Sequence, residues 1–324
     1  MKLEVLKPTP VFDTYWEFAT KRQEIFFNRF YGRDYPWTDD DIIQKYKFTN
    51  AYRASDRVSQ YLIRNVIYEN NHYTPEDQCF RILFYKLFNK IETWEYMENA
   101  MGEISYSSYN YSRYNQLLME RIDANEKIYS AAYIMPTGKS YFGFKKKHQN
   151  NLKLLEYMMS SGVSTQIAKA KSLEELYKVL LNYPTIGTFL AFQFAIDINY
   201  SELCDFSEMS FVVAGPGAKN GIKKCFSDLK GYTYEDIIKF VAEKQNEEFE
   251  KRGLRFQSLF GRELQLIDCQ NLFCETDKYA RVAHPDIEGA DGRKRIKQKY
   301  IKRNLEKIDF YYPPKWGLNH ELNT

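Results

Sequence analysis

Apolar residues recur at helical spacing along most of this chain, and this pattern limits the fold more than any other feature of the sequence. The segments 12–30, 51–68, 75–98 and 114–132 each place aromatic or aliphatic residues three and four positions apart. Alternation of the strand type is confined to short pieces such as residues 210–214. The sequence therefore predicts an all-α fold, with a helix cap at Thr38 and one long helix from Pro75 through Glu98.

The length of 324 residues suits one large domain or two lobes around a cleft. We expect a single helical domain over residues 1–324 with two lobes, and a basic C-terminal tail at residues 293–324. Because 46 Lys and Arg balance 43 Asp and Glu to a net charge of +3, any basic surface must be local.

Cysteine and histidine usage argues against metal sites and disulfides. The five cysteines form no CxxC pair, and there are only four histidines. We expect no metal and no organic cofactor. The N-terminus lacks the apolar core of a signal peptide and no run reaches the ~18 apolar residues of a membrane span, which predicts a cytoplasmic protein without membrane contact.

The glycine-rich segment FSEMSFVVAGPGAKNGIKKCF, residues 206–226, precedes a basic helical pattern. Its spacing fits neither the Walker loop nor the dinucleotide fingerprint. Amides at a helix start attract anions, so the segment predicts a phosphate site, with a plain glycine turn as the alternative. The residues expected to contact phosphate are Gly215, Gly217, Lys219, Gly221 and Lys223.

The segment LEELYKVLLNYPTIGTFLAFQFAIDI, residues 173–198, reads as two amphipathic helices joined by a Pro-Thr-Ile-Gly turn. A helix-hairpin-helix binds a DNA backbone phosphate in this way, and together with the glycine segment this hairpin occupies the region near residues 173–230. Thr185 stands where the usual hairpin has its first glycine, and Gly187 supplies the second. An ordinary αα-hairpin is the alternative.

Carboxylates follow the hairpin by about twenty residues, as they do in base-excision enzymes of the helix-hairpin-helix class. Glu208, with Asp205 as second choice, is predicted to assist the departure of a base; a helix cap or a surface charge is the alternative. Thr188 stands where a lyase would carry its nucleophilic lysine, which favours a monofunctional enzyme.

Three groups of polar residues interrupt apolar helical patterns. Each can line a cleft or form a solvent-exposed face stabilised by ion pairs. Asp268 in the first group is a third candidate catalytic carboxylate, and Arg53 and Arg57 are expected to bind DNA phosphate. The other members except Glu92 are expected to line a base pocket. The groups are Asp268, Asn271, Glu275 and Lys278; Asn50, Arg53, Asp56 and Arg57; and Asn89, Lys90 and Glu92.

Five ordered blocks resemble a known family. They are YKFTNAYRASDRVSQYLIRNVIY, FRILFYKLFNKIETWE, IYSAAYIMPTGK, DFSEMSFVVAGPGAKNGIKKCF and LQLIDCQNLFCETDKYARVAHP. The chain is similar over residues 10–300 to the alpha-glutamyl/putrescinyl thymine pyrophosphorylases and to the helical domain of 5-hydroxymethyl-deoxyuridine DNA kinase. The resemblance implies a fold related to helix-hairpin-helix DNA glycosylases and a connection with hypermodified pyrimidines in phage DNA. It does not supply a P-loop kinase domain.

Together these observations predict a monofunctional DNA glycosylase. It would act as a monomer on double-stranded phage DNA, flip a hydroxymethylated or glycosylated pyrimidine and hydrolyse its N-glycosidic bond in anti-phage defence. A transferase or pyrophosphorylase that elaborates 5-hydroxymethyl-pyrimidines in DNA is the alternative. A non-catalytic DNA-binding module is a second alternative.

Overall fold

The computed structural model describes residues 6–69, 72–133, 135–289, 291–302 and 309–323. The chain divides into two compact units. Unit 1 comprises Met1–Asp56, Val212–Phe310 and Asn323–Thr324, and unit 2 comprises Arg57–Phe211 and Tyr311–Leu322. The predicted hairpin therefore lies in unit 2 and the glycine-rich helix in unit 1.

The described residues are mostly helical, which confirms the all-α prediction. A two-stranded antiparallel sheet pairs β1 (Lys7–Pro8) with β2 (Phe226–Asp228). The α-helices are Pro10–Phe30 (α1), Asp41–Lys45 (α2), Arg57–Tyr61 (α3), Pro75–Phe88 (α4), Ile91–Met101 (α5), Tyr111–Asp123 (α6), Lys139–Phe142 (α7), Lys147–Ser160 (α8), Val163–Lys169 (α9), Leu173–Leu181 (α10), Thr188–Asn199 (α11), Pro216–Cys225 (α12), Tyr234–Glu243 (α13), Gln245–Lys251 (α14) and Leu266–Ala283 (α15).

Unit 1 is built around α1, α12 and α15. Helix α1 begins where Thr9 caps it by accepting from the Val11 amide, and it buries one aromatic face. The Tyr15 ring lies 4.4 Å from Phe273 of α15, and its hydroxyl donates to the Cys269 carbonyl at 3.3 Å. Phe12 and Phe226 add an apolar contact at 4.6 Å beside the strand pair.

Two glycines let α12 lie directly on α15. A Cβ placed on Gly221 would be 1.9 Å from the carbonyl oxygen of Phe273, and one on Gly217 would be 2.3 Å from the sulfur of Cys274. The first of these neighbours is backbone and cannot rotate away. Gly221 is therefore required for helix packing, whereas a larger residue at Gly217 would have to displace the Cys274 thiol.

The core of unit 2 surrounds α4 and contains a fully buried arginine. Arg81 donates from Nε to the Val66 carbonyl at 3.0 Å and from Nη1 to the Ile104 carbonyl at 2.8 Å. Val66 belongs to the π-helix Leu62–Tyr68. The buried guanidinium thus bonds carbonyls of an irregular segment, where an apolar residue would leave them unsatisfied.

Several predicted helix limits are wrong, and local chemistry explains them. The helix cap near residue 38 is Asp40, because its carboxylate accepts from the amides of Ile42 and Ile43. The predicted helix 75–98 breaks after Phe88, where Asn89 adopts a left-handed backbone with φ of 50°. Segment 51–68 is a 3₁₀ turn at Arg53–Ser55, a short α-helix and the π-helix.

Two other expectations also need correction. The helix predicted at 114–132 is α6, Tyr111–Asp123, and residues 210–214 form no strand. In the basic tail, the described residues 293–302 are not helical, and 3₁₀ turns occupy Pro314–Trp316 and Asn319–Asn323. Residues 303–308 of the tail lie outside the described residues.

Substitution Gly221→Ala should lower the free energy of unfolding by about 1–3 kcal/mol, because the new methyl group collides with the Phe273 carbonyl. Urea denaturation followed by circular dichroism measures the change. Lys223→Ala is the matched control, since Lys223 is exposed on the same helix and its truncation should stay within ~0.5 kcal/mol. Equal stability of the two variants would contradict the close packing of α12 on α15.

Candidate active site

A tight loop in unit 1 brings together Asn50 and Asp56. The Asp56 carboxylate accepts from the Asn50 amide at 2.8 Å, and the Asn50 side chain donates to the Ser55 carbonyl at 2.7 Å. The loop encloses the 3₁₀ turn, so these residues meet across a turn and not along one face of a helix as predicted. Asn50 and Asp56 are each half-buried.

Two cations and a second carboxylate border this loop. Arg22 of α1 donates from Nε to the Thr49 carbonyl at 2.8 Å and from Nη2 to the Asn50 side-chain oxygen at 3.3 Å. Glu275 of α15 accepts from the Thr49 amide at 3.0 Å and from Lys278 at 2.7 Å. The sequence prediction included Glu275 and Lys278 but missed Arg22, which no local pattern marks.

Burial, with a smaller contribution from the negative charge of Glu275, raises the pKa of Asp56 to about 7, although the bond from the Asn50 amide and the charges of Arg22 and Arg53 act in the opposite direction. A carboxyl that titrates near neutral pH can take up and release a proton under physiological conditions. Asp56 is therefore the group in unit 1 whose chemistry best suits acid–base catalysis. We call Arg22, Asn50, Asp56, Glu275 and Lys278 the carboxylate cluster.

Asp268 has a structural position. Its buried carboxylate accepts from the Arg53 amide at 2.7 Å and from the Gln265 amide at 3.0 Å, so it caps α15 and fixes the 3₁₀ turn. Burial raises the pKa of Asp268 to about 6. Arg53 is itself buried, and the hydrogen bond from its amide to Asp268 links the 3₁₀ turn to the start of α15.

The start of α12 is occupied by protein groups. The Gly215 amide donates to the Gln270 side chain at 3.2 Å, and the Ala214 amide donates to the carboxylate of Glu235 at 2.8 Å. Asn271 accepts from the Gln270 amide group at 2.6 Å. The negative charge of Glu235 therefore lies where the sequence predicted that a phosphate binds. Of the residues predicted to contact phosphate here, Lys219 and Lys223 have exposed cationic side chains.

The hairpin of unit 2 has the geometry of a tight turn between α10 and α11. Thr185 has φ of 68°, the left-handed conformation that glycine usually takes at this position. Gly187 precedes the first residue of α11 and is exposed, and a Cβ added to it would meet no atom within 4 Å. Within the described residues, no carbonyl accepts from the Gly187 amide. Phosphate binding here stays a prediction.

The other predicted residues of unit 2 are dispersed. Glu208 is buried, whereas Asp205 is exposed and lies 3.7 Å from Lys315. Lys90 pairs with Glu92 at 3.0 Å, while Arg57 is exposed at the start of α3.

A buried pair in unit 2 was absent from the prediction. Lys86 of α4 lies 2.9 Å from the Asp197 carboxylate of α11 and donates to the Asn89 side chain at 2.7 Å. Asn89 is buried where it ends α4. This polar contact joins α11, the second helix of the hairpin, to the core. The only sign of the pair in the sequence was a single charged residue within each of two apolar stretches.

Among the described residues, no group of three or more His, Cys, Asp or Glu side chains is arranged to hold a metal ion. No helix in the described ranges is both long and apolar enough to cross a bilayer.

Comparison with known proteins decides the family. Residues 9–289 match the model of the family described as 5-hmdU DNA kinase, helical domain. The chain belongs to this family. A relative in Bacillus phage SP10, named 5-hmdU DNA kinase, is 27% identical over 288 residues. The match covers 83% of this chain but only 45% of that protein, so the chain spans less than half of the length of its relative. No solved structure matches it significantly.

Family membership overturns the glycosylase prediction. The helical-domain family and the phage relative carry the name of a kinase, which is a transferase and not a hydrolase of N-glycosyl bonds. The assignment of Glu208, Asp205 and Asp268 to base excision is therefore withdrawn. The proposed defence by base removal falls with it, because it required the same hydrolysis.

Substitution Asp56→Asn should change the pH dependence of stability. The folded protein keeps the Asp56 proton up to about pH 7, whereas the unfolded chain releases it near pH ~4. The folded state thus binds more protons between these values, and the free energy of unfolding contributed by this group falls as pH rises across that window. The variant should gain stability relative to the natural protein between pH 5 and pH 8, measured by urea denaturation. If the variant and the natural protein differed in free energy of unfolding by the same amount at pH 5 and pH 8, a raised pKa of Asp56 would be contradicted. Asp39→Asn, at an exposed aspartate, serves as the control.

Proposed function

We propose that this family member is a transferase that modifies 5-hydroxymethyl-pyrimidine bases in DNA. The observation that carries the proposal is the match of residues 9–289 to the 5-hmdU DNA kinase helical domain, supported by the name of the phage relative. The sequence contains no GxxxxGK[S/T] loop. We therefore assign to the helical residues 9–289 a chemical step on the base that does not use a P-loop.

The carboxylate cluster supplies the groups for such a step. An amine nucleophile attacks the 5-methylene carbon of an activated base, a C–N bond forms, and the C–O bond to pyrophosphate breaks with its electron pair leaving on oxygen. Asp56 accepts the amine proton, for which its pKa of about 7 is suitable. Arg22, which bonds the Asn50 side chain, and Lys278, which bonds Glu275, are the cations of the cluster that favour the anionic leaving group.

The DNA would be held through its backbone. The turn at Thr185 and Gly187 points toward solvent at the start of α11, where helix amides favour phosphate. Arg57 of unit 2 is an exposed cation, and unit 1 separately exposes Lys219 and Lys223; each unit can attract the DNA backbone through these charges. Asn271 carries an amide group suited to a base edge, whereas the side-chain amide of Asn50 is bonded to Ser55 and Arg22.

A second candidate function is a non-catalytic module that presents DNA to a kinase. The observation that favours it is the length of the phage relative, of which the match covers 45%. In that case substitutions in the carboxylate cluster would leave DNA binding and every modification product unchanged.

The deciding experiment uses oligonucleotides carrying either 5-hydroxymethyl-deoxyuridine or its synthetic 5-pyrophosphoryloxymethyl derivative, each incubated with the protein and a mixture of primary amines. We expect pyrophosphate release and a nucleoside that carries the amine in place of pyrophosphate, from the activated base alone, read by mass spectrometry after digestion. Unaltered nucleosides from both substrates would sink the transferase proposal.

Asp56→Asn should reduce the rate of this reaction by roughly 100-fold or more, because the variant cannot accept the proton. Its DNA affinity should be unchanged, and Asp39→Asn should retain full activity. The natural protein should gain rate as pH rises through about 7, since Asp56 acts in its ionised form. A pH profile that is flat from 6 to 8 argues against Asp56 as the base.

Gly187→Glu should weaken DNA binding at least about ten-fold, since it places negative charge at the hairpin phosphate position. Fluorescence anisotropy with a labelled duplex measures the affinity, and Gly187→Ala, for which the structure has space, is the control. Equal affinity of both variants, with folding verified by circular dichroism, would remove the hairpin from the DNA interface.

A further inference from the structure

A lysine-rich segment of unit 2 is not used by the proposed function. Residues 139–153, KSYFGFKKKHQNNLK, contain five lysines and no Asp or Glu. Lys139 and Lys145 are exposed, and within the described chain neither forms an ion pair with a carboxylate. The whole protein has a net charge of only +3, so this segment concentrates positive charge locally.

Aromatic rings accompany these lysines at the surface. Tyr141 of α7 is 59% exposed and Tyr157 of α8 is 43% exposed, among the most exposed large apolar side chains of the described structure. Their ring centroids are 6.5 Å apart, and Tyr157 lies 5.9 Å from Tyr183. We call Tyr141, Tyr157 and Tyr183 the tyrosine ladder.

The ladder leads directly into the hairpin. Tyr183 precedes the Pro-Thr-Ile-Gly turn, and its hydroxyl is fixed by Ser161 at 2.9 Å and by the Gln166 amide group at 3.2 Å. Tyr183 is buried, so its ring anchors the ladder at the end near Gly187. The exposed rings therefore continue outward from the predicted phosphate contact.

The segment that carries the outer end of the ladder is held in one conformation. Buried Asn150 donates to the carbonyls of Thr137 and Phe144 at 2.9 Å each and accepts from the Phe144 amide at 3.0 Å. A Cβ on Gly138 would lie 3.0 Å from the Asn150 side chain. This bonding sets the position of Tyr141 before any ligand arrives, which lowers the entropy lost on binding.

We propose that the two exposed rings of the tyrosine ladder, Tyr141 and Tyr157, stack the bases of an unpaired DNA strand, whose phosphates lie along Lys139 and Lys145. The proposal rests on DNA being the substrate of this protein and adds which form of DNA is bound beside the hairpin. Interleaved aromatic and cationic groups are the recognition elements for single-stranded nucleic acid, because any base offers a flat face to an exposed ring. In a continuous duplex those faces are covered by neighbouring bases, so the ladder selects a strand that has been opened.

The test measures affinity for a single-stranded DNA oligonucleotide that carries no hydroxymethylated base but contains 2-aminopurine, whose fluorescence falls when it stacks. We expect quenching on binding and tighter binding of the single strand than of the matched duplex. Tyr141→Leu and Tyr157→Leu should each weaken single-strand binding about ten-fold and reduce the quenching. Tyr141→Phe, which keeps the ring, should bind as the natural protein does.

Tyr31→Leu is the matched control, because Tyr31 of unit 1 is 56% exposed but lies outside the ladder. Single-strand affinity that is equal in the ladder variants and in Tyr31→Leu, with all of them folded by circular dichroism, would overturn the proposal. Binding of an RNA oligonucleotide of the same sequence with ladder dependence, and no binding of DNA, would overturn it as well.

The oligonucleotide carries no hydroxymethylated base, so the outcome does not depend on the modification reaction. Ladder-dependent DNA binding without any modified product would leave the ladder in place and reject the transferase. If both ladder variants modified single-stranded DNA with full activity, the proposed base stacking by the ladder would be rejected and the transferase proposal would be kept.

Discussion

The backbone contact between α12 and α15 is the constraint on which unit 1 depends. Gly221 brings α12 against the Phe273 carbonyl, and no side chain can stand between them. That contact fixes α15, whose Asp268 and Glu275 then bind the amides of Arg53 and Thr49. The loop that presents Asp56 is therefore positioned by buried carboxylates, which are in turn positioned by a glycine. A candidate site on a loop acquires in this way the precision of a packed helix.

Unit 2 uses buried polar bonds for a similar purpose. The Lys86 and Asp197 pair joins α4 to α11 inside an apolar core, where removing one partner would leave an uncompensated charge. Arg81 satisfies carbonyls of the π-helix segment. Such contacts allow few alternative packings, so the hairpin at the start of α11 is presented by a helix with a defined orientation.

Local signals predicted much of this structure from the sequence. The hairpin helices α10 and α11 and the long helix α15 follow from periodicity and from Pro and Gly between them. The helix end at Asn89 was missed because its left-handed backbone interrupts a pattern that stays apolar on both sides. Arg22 and the turn between Asn50 and Asp56 were not predictable, since the contacts that define them join segments far apart in sequence or depend on a 3₁₀ turn. The reaction type was also beyond reach, because a carboxylate beside a base suits hydrolysis and transfer equally.

The order of the chain has a consequence for synthesis. The Thr49 amide finds its partner on Glu275, 226 residues further along the chain. At ~5–20 residues per second, a ribosome adds that stretch in roughly 10 to 45 s. The contiguous part of unit 2, Arg57–Phe211, emerges after the first 56 residues of unit 1 and can collapse around α4 while unit 1 still lacks α12 and α15. The loop bearing Asp56 is thus among the first parts translated and the last completed, and a nascent chain stalled before α15 would hold a hairpin but no carboxylate cluster.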